Sequence, residues 1–114
     1  MILIIGAEAS DKRTYAKSLG YKESDMAKAV IDDRPVIYAL HELVQKDIEN
    51  APALLDELIK KEVVICNEVG SGVIPINKED RLGREATGRL CVQLAMRAEK
   101  VVRMVSGIPN VIKG

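Results

Sequence analysis

A chain of 114 residues has room for one compact core and too little for two, so residues 1–114 are read as a single domain. Lysine plus arginine and aspartate plus glutamate balance at 17 each, which leaves no overall field to favour nucleic acid or an anionic membrane surface. Aromatic residues make up 3%, with no Phe and no Trp, so the stacking platforms of a single-strand nucleic-acid binder are missing and a core of Val, Ile, Leu, Ala and Met is expected.

In chain order, Ile2 to Ile5 reads as a buried strand; the apolar opening ends at Gly6, well short of a signal-peptide core or a membrane span, and a cytoplasmic protein is expected. Gly6-Ala-Glu-Ala-Ser-Asp11-Lys12-Arg13 then stands between that strand and a helical segment, the setting of a phosphate loop. Against G-x-x-x-x-G-K-S/T it keeps Gly6 and Lys12, with Asp11 at the second glycine and Arg13 at the hydroxyl. In an intact loop, backbone N–H groups wrap the phosphates, the lysine reaches the outer ones and the hydroxyl binds magnesium. A carboxylate about 5 Å from a phosphate, at an effective dielectric of about 20, repels it by roughly 3 kcal/mol per charge pair. Thr14 does not replace the hydroxyl, because one helical residue turns its side chain by about 100°. Ser10 and Thr14 remain to cap or line the turn, and Lys12 with Arg13 to attract an anion. On these residues alone, a plain strand-to-helix turn with a solvated charge run stands beside the phosphate-binding reading.

Lys22 to Arg34 is polar and poorly periodic, a loop or weak helix. Val36 to Leu40 reads as the second strand, with His41, the only histidine, as a helix-start residue after it. Asn50-Ala-Pro52 breaks the chain before a helical face of Leu54, Leu55, Leu58 and Ile59. Val63 to Cys66 is the third strand, with Asn67 and Glu68 directly beyond it and Gly70-Ser-Gly72 and Pro75 marking a loop. Such a polar pair is either a capping device or a nucleotide and metal contact. Leu82, Ala86, Leu90, Leu94 and Ala98 define one face of a long helix between Lys78 and Ala98, and Val101 to Val105 is the fourth strand. Cys66 and Cys91, far apart in sequence and inside apolar-periodic segments, read as buried reduced thiols, and no residues carry a metal-site spacing. The alternation argues an α/β fold with a parallel sheet flanked by helices, in which ligands bind beyond the carboxyl ends of the strands.

Cys66-Asn-Glu-Val-Gly-Ser-Gly-Val-Ile-Pro75 resembles the N-E-V-G-x-G-I-V-P signature of the adenosylcobinamide kinase / adenosylcobinamide-phosphate guanylyltransferase family of cobalamin biosynthesis. Arg84, Gly88-Arg89 and Leu94-Ala95 fall where that family has its R-D-x-x-G-R and L-A elements, and Val105-Ser-Gly-Ile-Pro109 resembles its closing V-S-G-I strand and tail. The similarity spans roughly Val63 to Lys113, with a family-like placement of Gly6, Ser10 and Lys12. It implies a shortened P-loop NTPase-like (RecA-like) fold and a site of Gly6, Ser10, Lys12, Asn67, Glu68, Gly70 and Gly72, in which Lys12 and Glu68 are the catalytic candidates. GTP or ATP with magnesium would be the cofactor. The chemistry implied is phosphate transfer to a cobinamide hydroxyl, or guanylyl attachment to the product.

Departures from the pattern set the expectation for activity. The family's guanylylated histidine belongs to a region between the first helix and the second strand that is missing here, so His41 is not assigned as a nucleophile. Ala39 stands where the family has a strand-end glutamate, and Cys91-Val92 replace a polar Asn-Gln pair. The first expectation is therefore a family member with a degenerate phosphate loop and activity reduced or lost. The alternative is a non-catalytic, homo-oligomeric binding or regulatory module that keeps the long helix and the Gly70 to Pro75 loop for subunit contact. A diverged relative with another small anionic ligand is the third.

Overall fold

The computed structural model describes residues 1–68 and 77–114, so Gly70, Gly72 and Pro75 of the expected loop lie outside the described residues. In chain order the elements are β1 (Ile2–Gly6), α1 (Lys12–Ser18), a 3-10 turn (Glu23–Asp25), β2 (Met26–Lys28), β3 (Val36–Tyr38) and α2 (Leu40–Lys46). A second 3-10 segment (Ile48–Leu54), α3 (Leu55–Leu58), β4 (Val63–Asn67), α4 (Lys78–Arg97), β5 (Lys100–Val105) and β6 (Ile108–Lys113) follow.

Among the described residues the strands form one sheet in the order β2-β3-β4-β1-β5-β6, parallel throughout except for β6, which runs antiparallel to β5. Strand alternation distributes the apolar runs to two faces. Leu3, Ile37, Val64, Cys66 and Val101 pack against α2, α3 and α4, whereas Ile4, Val36, Val63, Ile65 and Val102 pack toward Ala16 of α1 and the rings of Tyr15, Tyr21 and Tyr38. Burial on both faces explains why β1 and β4 read as continuous apolar runs rather than alternating ones. The face of α4 marked by Ala86, Leu90, Leu94 and Ala98 meets the first of these layers as the helical spacing requires. Leu82 sits on the same stripe but is left exposed near the helix start.

Three expectations need correction. The second strand ends at Tyr38 rather than Leu40: Ala39 takes a left-handed conformation (φ 56°) that turns the chain, and Leu40 opens α2. Lys22 to Arg34 is neither all loop nor helix, because Met26–Lys28 pairs in parallel with Val36–Tyr38. The residues after Val105, expected only as a closing tail to the fourth strand, form a further strand. Ser106 (φ 49°) and Gly107 (φ 77°) place both central residues of a two-residue hairpin turn in the left-handed region, and that turn folds Ile108–Lys113 back along β5. Pro109 is tolerated there because β6 is the edge strand. Asn50-Ala-Pro52 falls inside the second 3-10 segment and leads into α3.

Candidate functional site

The site is built at the carboxyl end of β1, the strand between β4 and β5 where the order of connection reverses, the usual ligand position in such sheets. Gly6 is required by close approach: a Cβ there would lie 2.6 Å from the Ser10 Oγ and 2.7 Å from the Met104 carbonyl oxygen. The following turn carries two non-glycine residues in the left-handed region, Ala9 (φ 59°) and Asp11 (φ 64°). Asp11 is the N-cap of α1 yet its side chain caps nothing. Its carboxylate lies against Gly107 of the β5–β6 turn, within 3.3 Å of where a Cβ on that glycine would stand.

The turn is closed by its own side chains. Ser10 Oγ donates to the Ala7 carbonyl at 2.6 Å, and Lys12 Nζ donates to the same oxygen at 2.6 Å and lies 3.4 Å from Ser10 Oγ. Burial holds the Lys12 ammonium below the usual lysine range, against smaller opposing influences of Cys66 and Glu8. Arg13, at the place of the magnesium hydroxyl, lies over Tyr38, with its guanidinium 4.7 Å from the ring centroid and 4.0 Å from Glu23. These residues do not fit the magnesium of an intact phosphate loop: Arg13 puts a cation in place of the hydroxyl, and the Ser10 hydroxyl is engaged with the Ala7 carbonyl.

Beside the turn opens a cavity of about 470 Å³. Lys12, Arg13, Lys17 and Lys28 line it together with Glu8, Asp11 and Glu42, and Tyr38, His41 and Asn67 complete its wall. Four cations stand there against three carboxylates, and two of the cations, Arg13 and Lys17, also pair with Glu23. His41, the second residue of α2 as its position after the strand implied, has a buried Nδ1 with no hydrogen-bond partner among the described residues. Lys28, Tyr38 and Lys17 were not singled out from sequence. Lys28 carries no signal there because the strand that holds it is three residues long, while Tyr38 fell inside the strand expected over Val36 to Leu40, and only the structure puts it at the strand end.

Asn67 thus joins Ser10 and Lys12 at the cavity, but Glu68 is placed elsewhere. Its backbone N–H donates to the Gly6 carbonyl at 2.8 Å, and its carboxylate takes a two-point ion pair from Arg103 of β5, Nε to Oε1 at 2.9 Å and Nη2 to Oε2 at 3.1 Å. It braces the ends of the strands flanking β1. Gly70 and Gly72 lie outside the described residues.

Fold and site together define a P-loop NTPase-like α/β protein in which the turn after β1 is closed by its own lysine and serine. The family model described as cobinamide kinase / cobinamide phosphate guanyltransferase matches residues 19–112, and the chain belongs to that family. The bifunctional adenosylcobalamin biosynthesis proteins CobU of Escherichia coli (strain K12) and of Salmonella typhimurium are each 35% identical over 75 residues, covering 66% of this chain and 41% of the relative. CobP of Pseudomonas aeruginosa is 35% identical over 60 residues, 53% of this chain and 35% of the relative. The chain therefore spans about two fifths of the length of these relatives. The match to the family model begins at Leu19, so Asn67 and Glu68 fall within it and Gly6, Ser10 and Lys12 before it. Among the described residues no helix is long and apolar enough to cross a membrane.

Proposed function

We propose that this protein acts in cobalamin biosynthesis with its kinase and guanylyl-transfer chemistry reduced or lost, and that the cavity beside Lys12 takes GTP, ATP or another small anion weakly. The observation that carries the reading is the position of Lys12. Its ammonium is spent on the Ala7 carbonyl of its own turn, so an incoming phosphate must first break that bond and then share the site with the carboxylates of Glu8, Asp11 and Glu42. Phosphoryl transfer depends on positioning and charge neutralisation, and with Arg13 turned onto Tyr38 the turn offers magnesium no hydroxyl at that position. Asn67 is the cavity residue best placed to orient a ligand by hydrogen bonding, while Glu68 acts at one remove by bracing Arg103. Calorimetric titration of the unaltered protein with GTP and ATP, with and without magnesium, tests this. Weak binding indifferent to magnesium is expected, and phosphate or guanylyl transfer to adenosylcobinamide at rates typical of kinases would contradict it.

A second reading, the non-catalytic homo-oligomeric module, is favoured by a different observation. An apolar groove of about 820 Å³ lies between the Ile48–Leu54 segment, α3 and α4, lined by Ile48, Leu55, Leu82, Ala86, Leu90 and Val92. One turn further along α4 from the groove's Val92, Met96 is 66% exposed, a surface that contact with another copy of the chain would cover.

A further inference from the structure

Cys66 is the penultimate residue of strand β4, next to the cavity residue Asn67, and Cys91 lies in the second half of α4, the helix packed over that strand. Both thiols are free, and their Sγ atoms are 2.7 Å apart. Bonded sulfurs sit near 2.05 Å, so about 0.7 Å of approach separates this pair from a disulfide. The two differ in access. Cys66 is fully buried and also directs its thiol to the Asn67 carbonyl at 3.3 Å, whereas Cys91 is only half-buried. The hydrogen bond with Cys91, and then burial, push the Cys66 thiol well above its ordinary range, which leaves Cys91 as the thiol that meets a reagent first.

We infer that Cys66 and Cys91 are an oxidation site, closing to a reversible intrachain disulfide when the protein meets a small-molecule disulfide of the glutathione class. The Cys91 thiolate attacks one sulfur of the reagent, whose S–S bond breaks to release one small thiol and leave a mixed disulfide on Cys91. Cys66 then attacks the Cys91 Sγ, the mixed bond breaks, and the second small thiol leaves. The protein pair gives up two electrons and two protons, and the reagent is reduced to two thiols. The bond ties the carboxyl end of β4 to α4 and closes a loop over residues 67–90, which includes Asn67 and Glu68. Constraining that loop restricts the unfolded chain and stabilises the folded one.

The reduced protein is incubated with oxidised glutathione, remaining thiols are alkylated, and intact mass and melting temperature are recorded. Both thiols are expected to vanish with loss of two hydrogens, no retained glutathione and no cross-linked dimer, reversibly with dithiothreitol, and with melting raised on the order of 5 °C. Cys91→Ser, whose reduced fold is checked by circular dichroism, should keep Cys66 free under the same treatment and show no melting shift. Unreacted thiols in the unaltered protein, a glutathione adduct that persists on Cys91, or the same melting shift in Cys91→Ser would each overturn the inference.

Discussion

Asp11 occupies a backbone position built for glycine, left-handed at φ 64°, without using its side chain as a cap. Aspartate tolerates that region better than most residues but still prefers others. Replacing Asp11 with Gly is therefore expected to raise stability, by about 0.5 kcal/mol, even though glycine loosens the unfolded chain. Urea denaturation checks this, and a loss of stability would show that the carboxylate near Gly107 holds the β5–β6 turn in place. A second residue-scale expectation concerns Asp32, whose carboxyl is held at about 2 by hydrogen bonds from the Arg34 side chain and backbone. Arg34 also donates to the Met26 carbonyl at 3.1 Å, and Lys61 bridges the Asp32 and Arg34 carbonyls, so the cluster pins the β2–β3 connection. Because the folded value lies below the ordinary 3.8, the cluster's contribution is present above about pH 4 and lost as pH falls toward 2. Carbon-detected NMR titration should place the Asp32 midpoint near 2 and raise it part of the way toward the ordinary range in Arg34→Met, which keeps the backbone N–H bond.

At the scale of elements, α4 combines a polar start with an apolar stripe. Asn77 accepts hydrogen bonds from the backbone of Glu79 at 2.7 Å and Asp80 at 3.4 Å, so Asn77→Ala is expected to cost about 1 kcal/mol. Leu94 is fully buried against the sheet, and Leu94→Ala is expected to cost roughly 3–5 kcal/mol. Thermal or denaturant melts of both variants check the ranking, and a cap that costs more than the core leucine would contradict it. That stripe was legible in the sequence because five residues share one helical face. β2 was not, since three residues with an exposed lysine carry no period, and their strand character comes only from pairing with β3. β6 was hidden for another reason: every one of its residues is exposed, so no apolar alternation marks it, and the Ser106-Gly107 turn was its sole local sign.

For the molecule as a whole, Gly6 with Lys12 after the first strand marked where a candidate site was sought, and the parallel sheet followed from alternating strand and helix patterns. The direction of each side chain did not. Lys12 turning back onto Ala7, Glu68 reaching across to Arg103 and Cys66 meeting Cys91 all depend on how distant strands and α4 are brought together, which no local pattern encodes. If the apolar groove and Met96 are covered by another copy, light scattering at micromolar concentration should return a mass above the 12.5 kDa of one chain, and Met96→Glu with Val92→Glu should lower it. A single-chain mass for the unaltered protein would contradict the homo-oligomeric reading.

The most direct test returns the turn to the form its setting calls for. Asp11→Gly with Arg13→Ser removes a carboxylate from beside the phosphate position, frees the backbone and restores a hydroxyl to the first turn of α1. Removing a repulsion of roughly 3 kcal/mol corresponds to about a hundredfold in affinity. Calorimetry with magnesium and GTP or ATP should therefore find weak binding in the unaltered protein and a gain of about that size in the double variant, with each single change gaining less. Tight, magnesium-dependent binding by the unaltered protein, or no gain in the double variant, would contradict a crippled phosphate site.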